Sequence, residues 1–190
     1  MPLNLRSILA LVVVLLGSDA AFSVPSAPDK EFLTPQEIAK IQDAQEIDER
    51  IKVYFEAATL RLKTAEERLG GKEAEAGDPL EFFSVEEMVD GYYRIVKSVM
   101  INLDDVFQRR DSDKSRLGKA LKNLRDSTEW AGKALLALKK TAEDKRNEEL
   151  WNLVNRAIDI ASGAHEGAEL GLKKYPGPTE KNKGKGKDKG

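Results

Sequence analysis

Apolar residues recur at alternating intervals of four and three along three separate stretches of this chain. Only a helix places residues so spaced on one face. The first stretch reads Ile51, Phe55, Ala58, Leu62, Ala65, Leu69; the second Val85, Val89, Tyr92, Val96, Val99, Leu103, Val106. The third reads Leu117, Leu121, Leu124, Thr128, Ala131, Leu135, Leu138, Ala142. Each is a heptad stripe of the kind that packs helix on helix. After residue 23 no alternating run of β-branched residues bounded by turn dipeptides competes with this pattern.

The start and stop signals agree with the stripes. Thr34-Pro35-Gln36-Glu37 is a capping box with proline at the first helical position, and Leu33 and Ile38 form its hydrophobic staple. Ser84-Val85-Glu86-Glu87 repeats the device with Phe83 and Met88. Gly70-Gly71 ends the first helix, because glycine tolerates the left-handed position after a helix. Tyr175-Pro176-Gly177-Pro178 ends the last. The pattern predicts helices over about 35–69, 85–109, 114–142 and 148–174.

Two joints stay open. The first helix either runs unbroken or bends near Gln45–Asp48, where the pattern changes phase. The third and fourth either separate at the polar Glu143–Asn147 stretch or continue through it, those residues being helix-compatible. In the 70–83 linker, Leu80, Phe82 and Phe83 are expected to cap one end of the core. Four amphipathic helices on short links predict an all-α, antiparallel up-down-up-down four-helix bundle over residues 34–174, roughly 40 Å long.

Residues 1–23 read as a secretory signal peptide: Arg6, then the apolar run Ile8 to Leu16, then small residues. Cleavage is expected after Ala20 or Ser23. Nine apolar residues fall short of the ~20 that span a bilayer, so no transmembrane segment is expected in the mature protein. Residues 24–33 form an extended leader. Residues 175–190 form a Lys/Gly-rich tail with nothing to bury, expected to be disordered.

Charge is unevenly divided. The total of −2 conceals +5 over residues 173–190 and −7 over 24–172. The basic tail could meet an anionic surface, but it has no aromatic residue to stack on bases, so no nucleic acid is expected. The absence of cysteine excludes disulfides, thiolate nucleophiles and iron–sulfur clusters.

Chemistry-bearing motifs are scarce. One histidine, His165, excludes a di-iron carboxylate site, which needs Glu-x-x-His on two helices. Asp111-Ser112-Asp113 lacks the later ligands of a calcium loop and reads as a turn with a helix cap. A last-helix histidine with a methionine of another helix, here Met88 or Met100, is one way to hold haem; no motif supports it, and no cofactor or metal is expected. Asp104 and Asp105 ahead of Arg109 and Arg110 read as a solvated ion-pair face.

The oddest feature is Gly163, Gly167 and Gly171 on the last helix. Each glycine in a helix interior costs about 1 kcal/mol relative to alanine. Close helix–helix approach, with Tyr54, Phe55 or Tyr92 filling the notch, would offset that. So would a ligand groove that includes His165, or a homo-oligomer seam. The sequence therefore points to an exported, non-enzymatic interaction or structural protein of the bacterial cell envelope, meeting an envelope protein or an anionic surface. The alternative is a bundle binding a small molecule or cofactor through Gly163, Gly167, Gly171 and His165.

Overall fold

The computed structural model describes residues 31–109 and 113–176. The expected signal peptide, the expected leader through Lys30, residues 110–112 with the expected Asp111-Ser112 turn, and the expected tail from Gly177 lie outside the described residues. Among the described residues the fold is all-helical: α1 (Pro35–Asp43), α2 (Ile47–Leu69), α3 (Val85–Gln108), α4 (Lys114–Asp144) and α5 (Glu148–Lys174). No helix among them is long and apolar enough to cross a membrane.

Five helices replace the expected four because the first is broken after Asp43. Both capping boxes form as read. Glu37 N donates to Thr34 Oγ1, and Thr34 N to Glu37 Oε2; Ser84 and Glu87 repeat the exchange. Gly71 takes the left-handed position at φ 95° beyond α2. The α4–α5 joint is a true break. Arg146 adopts φ 54°, Asn147 N donates to the Ala142 carbonyl, and Arg146 N to that of Glu143. That pair of bonds is the Schellman turn, made here without glycine. Asn147 then caps α5 by accepting from Leu150 N.

The expected seams supply most of the core, although Leu69, Val85 and Val106 are only partly buried and Ala57, Met88, Ile95 and Ala120 join it from outside the stripes. All eight stripe positions of α4 are buried, as are Ile51, Phe55, Ala58, Leu62 and Ala65 of α2 and Val89 to Leu103 of the α3 stripe. The linker differs in part. Leu80 is fully buried and Phe83 packs on the core, but Phe82 is 81% exposed. Arg68 of α2 holds this segment by donating to the Leu80 and Phe83 carbonyls.

Helix directions alternate along the chain, yet the neighbours are not all antiparallel. α2 packs antiparallel to α3, and α4 to α5; in addition α2 lies beside α4, and α3 beside α5. Arg116 reaches Asp48 near the starts of α4 and α2, Lys63 lies over the Trp130 ring midway, and Lys145 reaches the Leu69 carbonyl at their ends. α2 and α4 are therefore parallel. Asn147 to Glu86, Arg156 to Asp90 and the Tyr175–Phe107 ring pair make α3 and α5 parallel likewise. α3 and α4, successive in the chain, take opposite corners. A heptad stripe defines which face of a helix is buried, not which helix it meets.

Candidate functional site

Helix α5 turns Leu150, Val154, Ala157, Ala161, Ala164 and Ala168 to the core. Alanines make up most of this line. A Cβ on Gly163 or Gly167 would meet nothing within 4 Å, whereas one on Gly171 would lie 3.0 Å from both Leu121 methyl carbons. The three glycines thus form no common notch. Two face open space, and the third is met by Leu121 rather than by Tyr54, Phe55 or Tyr92. Tyr92 sits in the core on α3, where burial raises its phenol pKa and its hydroxyl has no hydrogen-bond partner among the described residues.

His165 is on a different side of α5. Gly163 and Gly167 flank it by two residues, and two residues rotate a helix by about 200°. Its Nδ1 lies 3.2 Å from the Arg125 carbonyl and 3.3 Å from Thr128 Oγ1. A carbonyl only accepts, so Nδ1 carries the proton. Nε2 lies 3.7 Å from Glu169 Oε1 at the rim. The ring is a strut between α5 and α4. Met88 is fully buried on α3 and Met100 half-buried, and neither is among the polar partners that hold His165. Among the described residues no group of three or more His, Asp or Glu side chains could hold a metal ion.

The most highly organised polar centre was not singled out from sequence. Arg61 on α2 is fully buried. Its guanidinium grips Glu37 of α1 with two hydrogen bonds, at 2.7 and 2.8 Å, and also donates to the carbonyls of Ala57 and Phe32. The Phe83 ring lies 5.8 Å away. Gly91 of α3 makes the room: a Cβ there would stand 3.0 Å from Arg61 Nε. Two sequence signals point to this centre, a glycine inside the α3 pattern and the small residues Ala57 and Thr64 one turn either side of Arg61.

Burial pushes the Glu37 carboxyl pKa up, but hydrogen bonds from Arg61 and Thr34 and the charge of Arg61 outweigh it and hold it below the ordinary value. A folded-state pKa so depressed contributes stability that is complete above the unfolded glutamate value of about 4.3 and is lost as pH falls through the folded value. The α1 amides are expected to lose exchange protection on acidification below about pH 4. A Glu37→Gln protein should show no such step, and an unchanged step would refute the assignment.

At the far end of α2, Arg116 pairs with Glu46 at 3.2 Å and Asp48 at 3.0 Å. It borders a polar cleft of about 330 Å³ lined by Gln45, Arg50, Asn102 and Asp105 among others. Its positive groups are engaged: Arg50 donates to the Ala44 and Gln45 carbonyls. No family model, curated protein or solved structure matches this chain.

Proposed function

We propose that this chain is an exported, non-enzymatic interaction protein of the bacterial cell envelope, a helical bundle that meets its partner through the outer face of α5. The observation that carries the reading is the outward position of Gly163 and Gly167. Two interior glycines cost about 2 kcal/mol of helix stability, and no neighbour among the described residues uses the space they leave. One turn further on the same face, Leu170 stands 64% exposed. A flat strip bordered by an apolar side chain suits close approach by another backbone. Export rests on the residue pattern of positions 1–23, and the basic tail adds attraction to an anionic surface that salt would screen.

Alanine at both positions separates partner binding from folding. Gly163→Ala/Gly167→Ala is expected to raise unfolding free energy by about 1–2 kcal/mol in urea, since nothing obstructs either Cβ. A photo-crosslinking residue at 167 should give adducts in envelope fractions, where one at exposed Glu129 on α4 gives none. Equal labelling at both sites, or none at 167, would sink the α5 reading. Cell fractionation of the full chain tests export directly.

A further inference from the structure

The break between α1 and α2 is built from the wrong residues. Ala44, Gln45 and Glu46 are all strong helix formers, and neither glycine nor proline occurs between Pro35 and Gly70. Yet Ala44 sits at φ −74°, ψ 97° and Glu46 at φ −91°, ψ 144°, both extended. One local side chain and two distant pairs hold them there. Arg50 Nε and Nη2 each donate to the Ala44 carbonyl at 3.1 Å, Arg116 pairs with Glu46, and Glu37 is drawn back onto Arg61. A local preference for helix overridden by side-chain contacts is a conflict between levels, and such conflicts mark strained or functional elements.

α1 is lightly docked for its size. None of its nine residues is buried, and its one extended helix contact is with α2. What holds it is specific: the Glu37 carboxylate and Phe32 carbonyl on Arg61, and the Phe32 ring 5.5 Å from the Arg94 guanidinium. If residues 35–69 became one helix, Glu37 would stand 24 positions before Arg61, about 36 Å along the axis. The arm could then no longer reach its own Arg61. A buried guanidinium without its carboxylate is unfavourable, and the segment already fitted to that slot is this same arm on another copy.

We propose that α1 is an exchangeable arm: residues 43–47 straighten into a continuous helix, and the Arg61 slot of each copy takes the Glu37 carboxylate of a second. The dimer keeps the Glu37 and Phe32 contacts on Arg61, gives up the Arg50 bonds to the Ala44 carbonyl and adds helical turns at two hinges, which is how domain swapping costs little. The slot in the swapped state is complete only with the partner's residue.

The lack of native cysteine makes the test clean. Full-length chain carrying only Phe32→Cys is mixed with chain carrying only Arg94→Cys, concentrated, incubated and treated with a short bis-maleimide. Arm exchange predicts a covalent species of twice the chain mass joining one of each chain. Adding Gln45→Gly/Glu46→Gly to both chains should cut its yield more than tenfold, because glycine weakens the continuous helix and leaves the hairpin free to form. A chain carrying both cysteines, diluted, should close within itself, which shows that the positions react. Intramolecular closure alone overturns the proposal, and so does a mixed dimer whose yield ignores the hinge glycines.

Discussion

Glu37→Ala is expected to lower unfolding free energy by about 3–5 kcal/mol, the range for removing one partner of a buried ion pair. The substitution removes two charge-assisted hydrogen bonds at 2.7 and 2.8 Å and leaves a fully buried guanidinium with only carbonyl partners. It also removes half of the α1 capping box. Urea unfolding of the single variant should be compared with Arg61→Met and with the double variant. An apolar side chain of similar length in place of Arg61 leaves no stranded charge, so the double variant should regain most of the loss. A cycle in which the two losses simply add would show that the residues do not act as a pair. Amide exchange gives a second readout, since α1 should lose its protection in Glu37→Ala while α4 keeps it.

The second large effect is at the α4–α5 contact, and there the sign of one substitution depends on another. Leu121 is 1% exposed, and both its methyl carbons lie 3.0 Å from where a Gly171 Cβ would stand. Leu121→Ala is expected to cost about 2–5 kcal/mol through lost burial and the cavity left behind. Gly171→Ala alone should destabilise, because the packed leucine has to shift. In the Leu121→Ala background the same change should stabilise by about 1 kcal/mol, since the obstruction is gone and helix propensity favours alanine. Thermal or urea unfolding of the four proteins checks this. Equal effects of Gly171→Ala in both backgrounds would mean that Leu121 is not what that glycine accommodates.

These two centres differ in how far they could be read in advance. Gly171 was visible as an anomaly of helix propensity, and a bulky neighbour was the right class of explanation; which side chain filled the space depended on which helix lay opposite. Gly163 and Gly167 looked identical to it in sequence, yet they face outward. A four-residue spacing advances about 400°, so each successive glycine drifts around the helix relative to the core. The alanines at 157, 161, 164 and 168, with the mixed 4-3-4 spacing, stay on the core face. The core line therefore leaves Ile158, His165 and Leu172, each one position beyond it, at its flanks.

The Arg61 centre was illegible for another reason. A capping glutamate and a mid-helix arginine 24 residues apart carry no local sign of each other. Their pairing exists only because α1 folds back along α2, and local propensity argues against that reversal at Ala44–Glu46.

Periodicity and caps, which act within one turn of helix, determined from sequence alone the helix class, most of the element ends and the larger part of the core positions of α2, α3 and α4, though not Ala57, Met88, Ile95 or Ala120. Tertiary structure alone decided which helices are neighbours, that α2 and α4 run side by side in the same direction, and that α1 turns back onto Arg61. Those outcomes balance burial and pairing among residues far apart in the chain, and a stripe of apolar residues offers the same face to any partner.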